Sequence, residues 1–328
     1  MNTKIITIGI DGNEANVIHR AGVGQYVFEL LKQFKKVQSF PRSGIPRHGG
    51  VTKFKAQAYI EEDTLIRWRI YLKEPPLPDM PEESENWRYK VFGPTKLWTR
   101  IALPLKLWRE RMAEKAPDVF FSPNHYAPLF CPVPSVISVM DLAFFRFPEM
   151  FKRRDLWQLK NWTAYSVKKA TKILAISEAT KKDVITFFGK KPEDVFITYP
   201  GYDEERFDAK IKNQKSKIKN TLEKYKIKSN YIIYLGTLQP RKNLVRLIEA
   251  FASVKKEYPE LKLVIAGMIN VGRGGWMYED IFAKVKELDM GKAVIFTNYV
   301  PDEEVPTLMA GARAYVLVSL FEGFGIPV

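Results

Sequence analysis

The chain is long enough for two domains, and its composition is that of a folded protein. It has 328 residues, of which 46% are hydrophobic and 13% aromatic, and this excludes a disordered chain. Its formal net charge of +15 at pH 7 predicts an anionic partner: a phosphorylated substrate, nucleic acid or an acidic lipid surface. The single cysteine, Cys131, excludes an internal disulfide framework and is predicted to be a packing residue.

The N-terminus enters a predicted strand directly, at residues 4–10. It carries no signal-peptide pattern, and no apolar stretch approaches the roughly 18 residues of a membrane-spanning helix. Both observations predict a cytoplasmic protein.

A glycine turn and a helix follow this strand. Gly22 and Gly24 precede a helix whose apolar residues recur at the i, i+3, i+4, i+7 spacing of one face: Val27, Leu30, Leu31 and Phe34. The turn is not a dinucleotide-binding fingerprint, because it lacks the third glycine. Two interpretations remain open for the glycines, a tight turn or a loop that faces a ligand.

Irregular segments and further strands fill the rest of the first half. Residues 37–56 are predicted to form a loop or mobile insertion, and the prolines of residues 71–85 exclude regular structure there. After a helix ending near Glu114, strands are predicted at 118–122, 135–140, 172–176 and 195–198. A helix at 178–188 would be capped by Ser177 and ended by Gly189.

A composition break at residues 199–201 predicts a domain boundary. It divides the chain into an N-terminal domain (1–200), a lysine-rich linker (201–229) and a C-terminal domain (230–328). In the last of these, strands are predicted at 231–235, 261–266, 293–297 and 313–318, and helices at 243–256, 278–289 and 302–310. Such alternation predicts an α/β fold of two Rossmann-like parallel-sheet domains that face each other across a cleft.

A phosphate site is predicted where the strand at 231–235 gives way to a helix. Gly236 breaks the strand, Asn243 is a good helix N-cap, and Arg241 and Lys242 stand just before the helix start. Free backbone N–H groups and the positive end of the helix dipole favour an anion there. The alternative is a pair of surface cations without a ligand.

The last residues place a carboxylate on a glycine-rich turn. Glu322, followed by Gly323, Phe324 and Gly325, could accept hydrogen bonds from sugar hydroxyl groups, although a surface glutamate would explain the same letters. The chain stops at Val328 without a closing helix, which predicts a truncated second domain.

Basic residues cluster between positions 152 and 182, around a helix that contains Trp157 and Trp162. Two interpretations remain open: a solvated surface, or a helix face that rests on an anionic membrane.

Several of these motifs together resemble the glycosyltransferases of family 4 (group 1). They are the GVGQY loop, SPNHYAP at 122–128, MDLAFFRFPEMF at 140–151, LAISEAT at 174–180, YLGTLQPRKN and the ending AGARAYVLVSLFEGFGIPV. The resemblance covers nearly the whole chain and is nearest to bacterial mannosyltransferase-like enzymes. It implies the GT-B fold and retention of anomeric configuration. The N-terminal domain would bind the acceptor, and the C-terminal domain, which is incomplete, would bind the nucleotide sugar.

The resemblance also implies roles for single residues. Arg241 and Lys242 would hold the donor diphosphate, and Glu322 would be the first glutamate of the E-x7-E motif. The other donor-binding residues would be Gly22 and Gly24, which let the backbone approach the leaving phosphate, Gly236 under the donor, Asn298, Tyr299 and Val300 near the base, and Gly323, Phe324 and Gly325.

The chain departs from the family pattern at three points. The second glutamate of E-x7-E would fall beyond Val328, and Asn298 stands where relatives often have glycine. Met140 precedes Asp141 where relatives carry a His-Asp pair whose histidine touches the transferred sugar. Either Asp141 or a neighbour such as His125 would then take the polar role, and both are candidate catalytic residues.

The predicted function is a retaining hexosyltransferase that moves mannose from GDP-mannose to a glycan or lipid-linked acceptor. Glucosyl or N-acetylglucosaminyl transfer from a UDP-sugar is the alternative, and a basic module that binds nucleic acid or a membrane surface is the alternative from another class. The enzyme interpretation predicts no nucleic-acid partner. The sequence has no Asp-x-Asp and no His/Cys cluster with ligand spacing, which predicts that no metal or other cofactor is needed.

Overall fold

The structure is a computed structural model that describes residues 4–20, 22–38, 64–268 and 277–327. Its strands are β1 (Lys4–Asp11), β2 (Thr64–Leu72), β3 (Trp87–Val91), β4 (Val119–Ser122), β5 (Ser135–Val139), β6 (Lys172–Ala175), β7 (Val195–Ile197), β8 (Tyr231–Leu235), β9 (Lys262–Ala266), β10 (Val294–Asn298) and β11 (Ala314–Tyr315). Its helices are α1 (Val23–Gln38), α2 (Ala102–Met112), α3 (Ala143–Arg146), α4 (Arg153–Lys169), α5 (Glu178–Phe188), α6 (Lys215–Lys224), α7 (Leu244–Glu257), α8 (Glu279–Glu287) and α9 (Val305–Gly311). From residue 39 onward, the insertion predicted at 37–56 lies outside the described residues.

The first sheet has seven strands in the order β3-β2-β1-β4-β5-β6-β7. All neighbouring strands are parallel. The chain order reverses between β1 and β4, and in open parallel sheets ligands bind outside the carboxyl ends of the strands at such a point.

The second sheet has four strands in the order β10-β9-β8-β11, again all parallel. This order corresponds to the order β3-β2-β1-β4 in the first sheet. The order reverses between β8 and β11, which places the end of β8 at the corresponding position of this sheet.

Hydrophobic periodicity explains why α7 covers this sheet. Its buried residues are Leu244, Leu247, Ile248 and Phe251, and they pack in one core cluster with Tyr234 of β8. The predicted helix face at residues 243–256 is therefore confirmed. In the same way, Val27 and Leu31 of α1 are fully buried in the core of the first sheet.

Two strands of the first sheet were missed by the sequence analysis. β2 pairs with β1 over its whole length, and β3 forms the edge of the sheet. Trp68 and Trp87 are buried in the core of this sheet, with ring centroids 6.0 Å apart. A tryptophan pair on either side of a proline-rich loop was the available signal.

The chain divides into two compact units, whose limits differ from the predicted domains. The first contains residues 1–142 and 160–199, and the second contains 143–159 and 200–328. Residues 143–159 join the second unit partly through Phe321, whose ring centroid lies 5.2 Å from the Arg146 Cζ atom and 6.4 Å from the ring of Phe147. Contacts between residues so far apart in the chain leave no local pattern in the sequence.

The lysine-rich segment at 201–229 is part of the second unit and not a separate linker. It contains α6, whose end is attached to Glu304 near the start of α9: Lys224 Nζ lies 2.5 Å from one carboxylate oxygen and Tyr225 Oη donates to the other at 2.6 Å. Ile227 is buried in the core beside β8. The charge run hid this amphipathic pattern, because its apolar residues are few.

Two further local expectations have clear outcomes. Ser177 caps α5 by accepting a hydrogen bond from the Thr180 N–H, and Gly189 ends that helix at φ +63°. The strand predicted at 313–318 is shorter, because pairing ends after Val316 N donates to Ile233 O. The carbonyl of Val318 instead accepts from the Asn243 side chain at 3.1 Å.

Candidate active site

The backbone at the end of β8 lies very close to the backbone at the end of β9, just before the loop that follows β8. Gly236 has φ +154°, and its N–H donates to Ala266 O at the end of β9 at 2.8 Å. A Cβ atom on Gly267 would lie 1.8 Å from the Gly236 carbonyl oxygen. Glycine at 267 therefore lets β8 and β9 finish side by side, directly before the residues of the predicted phosphate site.

Asn243 occupies the N-cap position of α7, as predicted, but its side chain does not cap the helix. The residue has φ +60°, and its side chain bonds the Val318 carbonyl, as described above. Pro240–Lys242 forms a single turn of 3₁₀ helix before it. Asn243 therefore attaches the chain that follows β11 to the start of α7, which the N-cap interpretation did not anticipate.

Arg241, Lys242 and Glu322 come together at the carboxyl ends of β8 and β11. Lys242 Nζ lies 2.5 Å from one carboxylate oxygen of Glu322, and Arg241 Nη1 lies 3.3 Å from the other. Arg241 Nη1 also donates to Phe321 O at 3.1 Å, and its Nε donates to Gln239 Oε1 at 3.1 Å. These contacts hold both cations in fixed directions.

The electrostatic setting keeps the Glu322 carboxylate ionised. Burial opposes its charge, but hydrogen bonds from Lys242 and Ser319 and the charges of both cations outweigh that effect and leave the pKa of Glu322 below its ordinary value. Burial, and then the nearby Glu322 charge, raises the pKa of Tyr315 to about 12. The cluster thus contains two cations, one carboxylate and a neutral phenol.

This arrangement can bind an anion. The side chains of Arg241, Lys242 and Glu322 are 15%, 12% and 22% exposed, so only a small part of each is open to a ligand. Charge-assisted hydrogen bonds in such a partly buried site are stronger than those in water. The Glu322 carboxylate pairs with both cations, as an oxygen pair of a diphosphate would. The two ion pairs lie at the carboxyl ends of the strands, where parallel sheets bind ligands.

The three residues predicted to lie near the base, Asn298, Tyr299 and Val300, differ in backbone conformation and in burial. Asn298 has φ +57° and its carbonyl accepts from Gly267 N at 3.1 Å. Asparagine is one of the few residues apart from glycine that adopt this conformation readily. Tyr299 is half-buried, whereas Val300 is buried in the core beside β8. Only the backbone of Val300 is left to contact a base.

The glycine-rich turn after Glu322 is shaped by its backbone. Gly325 has φ +94°, Gly323 is buried, and Phe324 is 43% exposed. This turn places an aromatic ring at the surface next to the charged cluster. Its role toward a donor stays a prediction.

In the first unit, the local backbone structure explains why glycine stands at positions 22 and 24. Gly22 has φ +53°, and its carbonyl accepts from Tyr26 N at the start of α1. A Cβ atom on Gly24 would lie 2.8 Å from the Glu14 carbonyl oxygen. The tight-turn interpretation therefore accounts for both glycines, and contact with a phosphate remains a prediction.

His125 follows β4 and Asp141 follows β5, and these neighbouring parallel strands have their carboxyl ends on the same side of the first sheet. Burial lowers the pKa of His125 to about 4, although the charge of Asp141 acts in the opposite sense. The imidazole is therefore neutral at neutral pH and can donate or accept a hydrogen bond but cannot supply a positive charge. Thr180 Oγ1 donates to the Met140 carbonyl at 3.2 Å, which fixes the backbone just before Asp141.

Asp11 is a buried carboxyl group at the end of β1 that the sequence analysis did not identify. It accepts hydrogen bonds from Asn13 N at 3.1 Å and Asn13 Nδ2 at 2.7 Å. Burial raises the pKa of Asp11 from 3.8 to about 6, with Glu14 raising it further and Asn13 and Lys73 opposing the shift. An aspartate directly after a strand was the available signal.

Asp11→Asn is expected to stabilise the protein at high pH. The folded pKa lies above the unfolded value, so the wild type loses stability as pH rises through this window, by about 3 kcal/mol in total. The variant does not lose this stability. The free energy of unfolding in urea, measured for the wild type and the variant at about pH 4 and about pH 8, tests the difference. The matched control is Asp79→Asn, because a hydrogen bond from Arg20 lowers the pKa of Asp79. Its effect should have the opposite sign, and equal pH dependence of both variants would contradict the assignment.

Two family descriptions match the chain, one in each half. Residues 69–206 match "Glycosyltransferase Family 4" and residues 214–328 match "Glycosyl transferases group 1". Among curated proteins, O-antigen chain mannosyltransferase B of Escherichia coli is 26% identical over 215 residues, which cover 64% of this chain and 53% of that protein. O-antigen chain mannosyltransferase RfbU of Salmonella typhimurium is 26% identical over 191 residues, covering 58% and 47%. The chain thus spans about half the length of these relatives.

Solved glycosyltransferase structures share the fold. HepE of Anabaena, solved in complex with UDP and glucose, matches with a TM-score of 0.62 at 16% identity, covering 99% of this chain and 76% of that one. The sucrose-phosphate synthase of Thermosynechococcus elongatus matches with a TM-score of 0.64 at 15% identity, covering 99% and 78%. The predicted GT-B fold class is confirmed by these structures. Among the helices that the structure describes, none combines the length and the apolar character needed to cross a membrane.

Proposed function

We propose that the chain, whose residues 69–206 and 214–328 match the family 4 and group 1 descriptions of glycosyltransferases, transfers a hexose from a nucleotide diphosphate sugar to a hydroxyl group of a glycan or lipid-linked acceptor. The observation that carries this proposal is the cluster of Arg241, Lys242 and Glu322 where the strand order of the second sheet reverses. It offers two cations for a diphosphate and a carboxylate for sugar hydroxyl groups.

The proposed donor is GDP-mannose. The support is the set of mannosyltransferases among the relatives, which act in O-antigen synthesis according to their names. A UDP-sugar is the alternative donor, since HepE was solved with UDP and glucose. The proposed location is the cytoplasm, where nucleotide sugars are available.

In the proposed mechanism, Arg241 and Lys242 bind the diphosphate and stabilise the charge that develops as it departs. They are already oriented by Gln239 and Glu322, so little reorganisation is needed when the bond breaks. The Glu322 carboxylate accepts hydrogen bonds from the donor sugar. Two protein cations at the diphosphate supply the charge that a divalent ion would otherwise supply, so the proposed reaction needs no metal.

The proposal includes retention of anomeric configuration. The acceptor hydroxyl attacks on the face from which the phosphate leaves, and the leaving phosphate oxygen takes its proton. A double displacement would need a carboxylate nucleophile, and the sequence offers no obvious one. His125 and Asp141 are proposed as the polar residues that orient the transferred sugar in place of the family histidine, with His125 in its neutral form.

Thermal shift measurements test the donor directly. The protein is heated in EDTA with GDP-mannose, UDP-glucose, UDP-N-acetylglucosamine, GDP or UDP, because a ligand at 100 times its Kd stabilises the folded state by about 2.7 kcal/mol. GDP-mannose is expected to give the largest shift, and mannose transfer is expected to continue in EDTA. A larger shift with a UDP-sugar would select the alternative donor, and no shift with any of them, together with salt-sensitive binding to polyanions, would overturn the proposal.

A further inference from the structure

Helix α2 of the first unit has large apolar residues on a face that the described residues leave largely exposed. Its inner face is buried through Leu103 and Leu107. Four apolar residues form a second, outer stripe, because their spacing of four, three and four positions keeps them on one side of the helix. They are Ile101, Leu105, Trp108 and Met112, which are 47%, 53%, 46% and 80% exposed.

Phe130 extends this stripe from a neighbouring loop. Its side chain is 71% exposed, although its backbone is held on both sides: Trp108 Nε1 donates to Phe130 O at 2.8 Å, and Phe130 N donates to Tyr165 Oη at 2.7 Å. The residue has φ +48°, a conformation that a bulky side chain rarely adopts. The fold therefore keeps an aromatic ring in solvent at some conformational cost.

The charges of α2 follow the same division. At about 100° per residue, Arg109 and Arg111 lie on the two sides of the apolar stripe, and Glu110 lies opposite it. Glu110, the one acidic residue of α2, is buried and accepts from Tyr71 Oη at 2.5 Å. The outer face of α2 is thus apolar along its centre and basic along both edges.

We propose that the outer face of α2, together with Phe130, docks on the surface of an anionic lipid bilayer. An apolar stripe between basic residues is the pattern of helices that lie in the membrane interface, with the cations near lipid phosphates. The net charge of +15 complements such a surface. A nucleic acid would pair with the arginines but would leave the exposed apolar residues without a partner.

This surface differs from the helix around Trp157 and Trp162 for which the sequence left a membrane contact open. Trp157 is the one large hydrophobic residue that α4 exposes, and every residue of α4 is described by the structure. A single side chain buries too little apolar area to hold a helix in the interface. The docking surface contains none of the residues proposed above for donor binding or catalysis, so the two proposals can fail separately.

A fluorescent probe at single sites tests which face meets the bilayer. In a Cys131→Ala background, Met112→Cys and Trp157→Cys are each labelled with an environment-sensitive fluorophore. Vesicles of equimolar phosphatidylcholine and phosphatidylglycerol are expected to shift the emission of the probe at position 112 to the blue, and vesicles of phosphatidylcholine alone are expected to do so much less. No shift at position 112, or an equal shift at position 157, would overturn the proposal.

Vesicle sedimentation gives an independent measure with unlabelled protein. Leu105→Ser/Met112→Ser should weaken binding to the same anionic vesicles by about tenfold or more, and Arg109→Gln by about fivefold. The control, Val254→Ser/Tyr258→Ser, removes exposed apolar residues from α7 and its end and should bind like the wild type. All variants should keep the wild-type Tm, because these side chains are exposed.

Light scattering separates a bilayer from a second copy of this chain as the occupant. If Leu105→Ser/Met112→Ser converts a dimer to a monomer without changing vesicle binding, the stripe is an interface between copies and the proposal is wrong. A protein that is monomeric in both forms and loses vesicle binding in the variant would support it.

Discussion

Arg241→Ala and Lys242→Ala are each expected to lower kcat/KM for hexose transfer by about 100-fold or more, the scale for removing a preorganised donor from developing negative charge. Both side chains are mostly buried and held beside Glu322. The loss should appear in kcat as well as KM, because the phosphate charge increases as the sugar leaves. Initial rates with the donor identified by thermal shift measure it.

Helix α7, which begins two residues after Lys242, offers matched controls. Arg246→Ala and Lys256→Ala remove the same charges from exposed positions of α7, and both variants should keep near-normal turnover. This comparison separates a specific contact from a general loss of positive charge. Near-normal turnover in Arg241→Ala and Lys242→Ala would contradict the phosphate assignment.

Loss of activity in Lys242→Ala could also arise because Glu322 loses a cation, and binding of the bare nucleoside diphosphate distinguishes the two causes. Glu322→Gln removes the anion that competes for Lys242, so it should bind the diphosphate as tightly as the wild type or more tightly. Lys242→Ala/Glu322→Gln should remain weak. Recovery of wild-type affinity in the double variant would show that the lysine acts only on Glu322.

The sequence predicted the architecture because strand and helix patterns are local. Parallel strands with continuous apolar runs, and the α7 face ending at Phe251, follow from residues close together in the chain. β2 and β3 were not predicted because they flank a segment rich in proline. The lysine-rich segment was misassigned because its charge obscured the few apolar residues, such as Ile227, that attach it to the second unit.

The residues of the candidate site were foreseeable one at a time, but their contacts were not. Arg241 and Lys242 stood out as cations before a helix, and Glu322 as a carboxylate on a glycine turn. Their pairing depends on β8 and β11 lying side by side, which no local pattern encodes. The same holds for Asn243, whose side chain bonds a carbonyl 75 residues further along the chain and not the helix that it precedes.

Gly267→Ala is expected to destabilise the second unit by about 1–3 kcal/mol or more and to abolish donor binding. The added Cβ atom would lie 1.8 Å from the oxygen and 2.6 Å from the carbon of the Gly236 carbonyl. Neither atom belongs to a flexible side chain, so the ends of β8 and β9 must separate. Arg241 and Lys242 stand five and six residues after Gly236 in the same loop, and a displaced loop would no longer hold them beside Glu322.

Gly291→Ala is the matched control for this substitution. A Cβ atom at position 291 would meet nothing within 4 Å. The variant should therefore have the same free energy of unfolding and the same affinity for the nucleoside diphosphate as the wild type. Chemical unfolding and the Kd for that ligand measure both effects in the two variants. If Gly267→Ala keeps wild-type stability and affinity, then the contact between the strand ends does not shape the site. Reduced affinity at unchanged stability would instead show that the strands tolerate the methyl group by moving the loop, so that the glycine serves binding more than folding.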